Sequence, residues 1–208
     1  MALKKTTEPQ RIADQEKRHE TRDYDGLVKE LTAESINERR WAARDLAAYP
    51  QAVPVLLQAL RDEQELVVQK AMLDALEAIG GEPVVTGLIP LLRSEQAALR
   101  NGVIEALASM PEAVALHIIE LLNDQDSDVR IFAIDILQLL AHPDTPKWLL
   151  SVLKDETHIN VVAAAVDRLA EVGTPEMVEE ILSLKQRFPD EPYLHFAVDT
   201  AVQRIRGD

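Results

Sequence analysis

The stretch Asn123–Leu140, NDQDSDVRIFAIDILQLL, decides the architecture. Asp124 to Asp128 read as a tight polar turn. From Val129 the apolar residues Val129, Ala133, Ile136, Leu137 and Leu140 fall at i, i+4, i+7, i+8 and i+11, the stripe of one helix face. On the same wheel Ile131, Asp135 and Gln138 point away from the stripe. Before the turn, Val114, Ile118, Leu121 and Leu122 make a second stripe. The unit is a helical hairpin with one apolar seam per helix. That is too little area to stand alone, so copies must stack.

Copies extend in both directions. An acidic residue followed two positions later by an apolar one recurs about every 30 residues, at Asp45, Asp74, Glu105, Asp135, Asp167 and Asp199, which implies six hairpins. First helices carry a matching frame: Leu56, Leu57 and Leu60; Leu88, Ile89 and Leu92; Ile118, Ile119 and Leu122; Leu149, Leu150 and Leu153; Ile181 and Leu184. Helix breakers separate the copies at Pro50, Gly80-Gly81-Glu82-Pro83, Met110-Pro111, His142-Pro143 and Gly173-Thr174-Pro175. The array is expected over residues 23–208. Residues 1–22 stand apart, with a small basic excess and only Ile12 and Ala13 as apolar residues in the segment after Pro9, and read as a polar extension, frayed or disordered.

Composition narrows the function. The 208 residues are 47% hydrophobic but only 4% aromatic, which suits long helices packed through Leu, Ala and Val. A formal charge of −14 argues against nucleic acid, whose phosphates need clustered Lys and Arg. The chain has no Cys, so disulfides, thiolate nucleophiles and Cys-ligated zinc are excluded. The opening MALKKTTEPQ lacks a signal-peptide apolar core, and no apolar run reaches the ~18 residues of a membrane span. A cytoplasmic protein without membrane contact is expected.

The segments AVPVLLQALRDEQELVVQKAMLDALEAIG and EAVALHIIELLNDQDSDVRIFAIDILQLL resemble HEAT repeats of the short bacterial, phycobilisome-lyase-like type, over about residues 24–206. The resemblance implies an all-α, right-handed α-solenoid. It also implies contacts between a turn acid and a helix-start Arg: Asp124 with Arg130, and Glu34 with Arg40 less closely. Ser94 before Arg100, Asp62 before Val68 or Gln69, and Asp155 before Val161 depart from that pattern, so the ladder is expected to be broken in the other repeats. The last copy, with its longer loop Lys185 to Pro192, is expected to be a terminal cap.

Second helices are expected to line the concave side. Aligned on the acids, the position of Ile131 is held by Trp41, Lys70, Asn101, Ala163 and His195; such variation on a regular frame marks a recognition surface. The candidate partner-binding residues are therefore Trp41, Asp45, Lys70, Asp74, Asn101, Glu105, Ile131, Asp135, Asp167, His195 and Asp199. The six acids either form a negative stripe for a basic segment or bond to neighbouring copies. Trp41 is a concave anchor or the seat of an N-terminal cap; Trp148 is expected to pack on the convex side.

No catalytic, metal or cofactor residues emerge. Di-iron hydroxylases of HEAT-like architecture use repeated His-Glu pairs, whereas here only His19-Glu20 occurs, and His117, His142, His158 and His195 are scattered. The expected function is a non-catalytic scaffold, adaptor or assembly factor for a protein partner. The alternative implied by the resemblance is a lyase-like subunit handling a chromophore or cofactor on a client protein.

Overall fold

In the computed structural model, which describes residues 23–207, the chain is a row of six helical hairpins and carries no strand among those residues. The hairpins pair α1 (Tyr24–Glu30) with α2 (Ile36–Leu46) and α3 (Val53–Asp62) with α4 (Leu66–Ile79). Next, α5 (Glu82–Leu88), continued by a 3₁₀ turn Ile89–Arg93, pairs with α6 (Ala97–Ala108). The fourth first helix is split into α7 (Pro111–Ala115) and α8 (Ile118–Leu122), facing α9 (Ser127–Leu139). Finally α10 (Thr145–Asp155) pairs with α11 (Ile159–Val172), and α12 (Val178–Arg187) with α13 (Pro192–Arg206). Residues 1–22, and with them the polar extension and His19-Glu20, lie outside the described residues.

Local chemistry explains most helix ends. Asp23, Ser35 and Asp126 accept N–H bonds from the first turns of α1, α2 and α9. Between α4 and α5 the chain reverses through Gly80 (φ 67°) and Gly81 (φ 86°), a left-handed pair that side chains resist, and Pro83 then starts α5. Pro90, which has no N–H to donate, sits where α5 tightens into 3₁₀ geometry. No Gly or Pro marks the break at Leu116 and His117, and nothing local in the sequence accounts for it.

The core runs the length of the stack. All five stripe residues of α9, Val129, Ala133, Ile136, Leu137 and Leu140, are buried, and equivalent seams bury Leu46, Leu76, Leu107, Leu169 and Val202. The first-helix frame needs one correction, because Ile119 is 49% exposed beside the broken helix. Second helices pack in an unbroken row, α2 on α4, then α6, α9, α11 and α13, and more closely than first helices pack on one another. The side on which stacked helices approach most closely is the inner side of an arc, so the second helices face the concave surface. Gly102 makes one such approach possible: a Cβ there would stand 2.6 Å from Leu73 Cδ1 of the preceding second helix.

Candidate interaction surface

A hydrogen-bonded ladder runs along the turn edge at the starts of the second helices. In four of them, α2, α4, α6 and α9, a side chain near the start reaches back six residues to a carbonyl of its own turn: Arg39 to Ala33 (2.9 Å), Gln69 to Glu63 (2.7 Å), Arg100 to Ser94 (2.7 Å) and Arg130 to Asp124 (2.8 Å). The turn residue caps the next N–H groups: Glu63 accepts from Gln64 and Glu65, Asp124 from Asp126, and Glu156 from Thr157 and His158. Bonds then cross to the following repeat. Arg39 grips Glu63 through two nitrogens (2.7 and 3.1 Å), Arg130 grips Glu156 likewise (2.6 and 3.0 Å), and Gln69 donates to Gln96 (2.9 Å).

This ladder is continuous where the sequence suggested gaps. The turn acids are Glu63 and Glu156, one residue beyond Asp62 and Asp155, and the helix-start residue of the first repeat is Arg39, not Arg40. Where a partner is missing, another repeat member replaces it. Asp124 is held by Arg93 (2.5 Å), while Arg100 lies over the Phe132 ring at 5.3 Å. At Val162, which has no donor, Arg187 reaches over from α12 to the carbonyls of Leu153, Lys154 and Glu156. In the last repeat the ring Nε2 of His195 lies 2.8 Å from the Phe188 carbonyl oxygen.

The ladder corrects the alignment at both ends. Counting from Arg39, Gln69, Arg100, Arg130, Val162 and His195, the residue one further on is Arg40, Lys70, Asn101, Ile131, Ala163 and Phe196. The residue five further on is Arg44, Asp74, Glu105, Asp135, Asp167 and Thr200. Trp41 is thus one place out of the row assigned to it. It shares its position with Gly102 and Phe132, which face the preceding repeat, so the half-buried Trp41 is turned to the N-terminal end of the stack. Asp45 is half-buried and one place past the acidic row. His195 and Asp199 each fall one place before the rows assigned to them, and Asp199 pairs with Lys185 at 2.5 Å. Within the row, Ala163 is buried, and Ile131 is half-buried and packed on the core instead of standing free.

What remains outward is a groove-lined acidic band. Between α4 and α6 a groove of about 230 Å³ is bounded by Lys70, Asp74, Glu77, Asn101 and Glu105 over a floor that includes Leu73 and Gly102. A second groove, of about 220 Å³ between α9 and α11, is bounded by Asp135, Gln138, Asp167, Arg168 and Glu171. Internal cations offset part of this charge: Lys70 pairs with Asp74 at 3.0 Å, and Arg168 with Glu171. Burial raises the Glu77 carboxyl above its ordinary pKa, and the carboxylates of Asp74 and Glu105 push it the same way against Lys70. Burial also raises Asp135, and raises Asp167 against the pull of Arg204. Neither the sequence period nor the acid alignment pointed to Glu77, Phe196 or the neighbouring Tyr193; exposed rings in a chain with few aromatics were the available signal.

Elsewhere the chemistry is structural. Trp148, partly buried against the core, stacks on His142 at the start of α10, ring centroids 4.5 Å apart. Among the described residues no three His, Asp or Glu side chains converge to hold a metal ion, and no helix is long and apolar enough to cross a membrane.

The sequence profile described as HEAT repeats matches residues 24–110 and 114–193. The chain is 36% identical over 152 residues to the bilin biosynthesis protein PecE of Mastigocladus laminosus, an alignment covering 71% of this chain and 56% of that protein. It is 35% identical over 150 residues to PecE of Nostoc sp. (strain PCC 7120), covering 70% and 58%. It therefore spans little more than half the length of these curated relatives. Among solved structures, the archaeal HEAT-like repeats protein from Thermococcus onnurineus NA1 aligns over 94% of this chain and 92% of its own, with 15% identity and a TM-score of 0.49. The complex of CpcE and CpcF of phycocyanin lyase from Nostoc sp. PCC7120 aligns over 98% and 91%, with 20% identity and a TM-score of 0.41.

Proposed function

Because the chain belongs to the HEAT-repeat family, we propose that it is a protein-interaction scaffold, an adaptor or assembly factor, that receives a basic segment of a partner on its second-helix face. The observation that carries this reading is the α4/α6 groove, where Asp74, Glu77 and Glu105 surround the single cation Lys70. Uncompensated carboxylates on a concave wall attract a cationic segment and speed its encounter. The test uses the purified chain as bait, with association to the captured protein followed across ionic strength. Replacing Asp74→Asn, Glu105→Gln and Asp135→Asn together should slow association at low salt by about tenfold and flatten its salt dependence, with the melting temperature unchanged. An unchanged rate would move the interface elsewhere.

One observation supports a second reading. Identity of 36% and 35% to bilin biosynthesis proteins suggests that the client carries a bilin, or that the chain takes part in handling one. Incubating the purified chain with a free bilin separates the readings. A shifted absorption band retained through gel filtration supports chromophore handling; an unshifted spectrum together with capture of a protein supports the scaffold.

A further inference from the structure

The end of the second-helix face at the last repeat differs from its middle. Phe196 occupies the outward row of Lys70 and Asn101, and Tyr193, three residues earlier, is its neighbour on the same helix face. Both rings are out in solvent, Tyr193 at 66% and Phe196 at 71% exposure. An exposed ring pair is a poor surface for water and a good one for a partner's apolar side chain. The exposure does not come from the lack of a following repeat: where one is present, the equivalent positions are exposed too, Val67, Ala98, Asp128 and Asn160 in the row of Tyr193 and Lys70 and Asn101 in the row of Phe196.

We infer that Tyr193 and Phe196 form the anchor subsite of the binding face, taking an aromatic or large aliphatic side chain at one end of a basic segment whose following cations lie over Asp167, Asp135, Glu105 and Asp74. This deepens the scaffold reading and rests on it. Charge selects the occupant: a second copy of the chain, at a net −14, would bring carboxylates against carboxylates, whereas a cationic segment neutralises them. Spacing sets its pattern. Neighbouring helices lie about 8–10 Å apart, and a chain in the polyproline-II conformation advances about 3.1 Å per residue with about three residues per turn, which brings every third side chain back to one face. Such a segment crossing the helices therefore presents one side chain per repeat at about every third position. The partner motif is one bulky apolar residue at the end of a run of Lys or Arg spaced by about three.

The test is fluorescence anisotropy with three labelled synthetic peptides, each carrying four lysines at every third position. One begins with tryptophan, one has alanine there, and one has the tryptophan in the middle of the run. On the unaltered chain the tryptophan-first peptide should bind about tenfold more tightly than the other two, the size of a single buried aromatic anchor. In Phe196→Ala and in Tyr193→Ser that advantage should disappear while the alanine peptide binds as before. An advantage that survives both changes, or no advantage on the unaltered chain, overturns the anchor. The acidic face is read separately, from the alanine peptide on the Asp74→Asn, Glu105→Gln, Asp135→Asn variant. If its binding collapses while the ring changes do nothing, the scaffold reading stands and the anchor falls. If no lysine peptide binds at low salt, both fall. Circular dichroism of each variant verifies that the helices are retained.

Discussion

Two sets of carboxylates, one on the turn edge and one in the grooves, sit on the same repeats and are treated in opposite ways. For Glu63 and Glu156 burial by itself would raise the pKa, yet a two-pronged Arg and two backbone N–H groups outweigh it and hold each carboxyl below its ordinary value. Asp124 behaves alike, with Asp126 N–H and Arg93 overcoming burial. In the grooves nothing outweighs burial, and Glu77, Asp135 and Asp167 are pushed up. The edge acids have their partners inside the fold. The groove acids, despite Lys70 and Arg168, keep a surplus of negative charge for a partner outside it.

The sharpest break in that comparison comes from removing a single edge cation. Arg130→Ala leaves Glu156, whose side chain is only 8% exposed, without its guanidinium, and should destabilise the fold by about 3 kcal/mol in denaturant titration. Breaking the apolar seam instead gives a scale for it. Leu107→Ala, at a fully buried site, should lower stability by about 2–5 kcal/mol, and a melt within a degree of the parent would show the seam misassigned. Ile131→Ser falls lower, about 1 kcal/mol, because the residue is half-buried on the core.

Acid titration sharpens the contrast further, since the two sets carry opposite signs. Glu63, Asp124 and Glu156 have folded pKa values below their unfolded ones, so their contribution is complete above the unfolded carboxylate value of about 4 and is lost as pH falls through the depressed folded values. Glu77, Asp135 and Asp167 have raised folded values; ionising them weighs against the fold, and that penalty is relieved as pH drops through the raised values. The expected result is that Glu156→Gln is markedly less stable than the parent at neutral pH, with the gap closing under acid. Asp135→Asn should be equal to the parent or slightly more stable at neutral pH, and its difference should also close under acid. Similar neutral-pH losses for the two variants would erase the distinction between edge and groove. The smallest effect belongs to the combined Asp74→Asn, Glu105→Gln, Asp135→Asn variant, whose stability should stay within about 0.5 kcal/mol of the parent, since Asp74 and Glu105 are exposed and the half-buried Asp135 loses no stabilising partner.

The hairpin period, the apolar seams, the breakers and the sign of the surface were legible in the sequence, because each is a local pattern repeated at a constant interval. Val129 to Leu140 named their buried face by spacing alone, and Pro83, Gly80 and Gly81 named a turn by backbone chemistry. Register was not legible to the single residue. Acids lie next to one another at Asp62-Glu63 and Asp155-Glu156, and cations at Arg39-Arg40, and only the bond that closes across the turn says which of each pair is used. That one-residue choice turns a helical side chain by about 100°, enough to carry Trp41 from the concave row to the end of the stack and to bring Phe196 into it. Spacing within one chain segment determines which face of a helix is apolar; which polar neighbour pairs, and which ring is left in water, depends on groups about thirty residues away that meet only once the repeats have stacked.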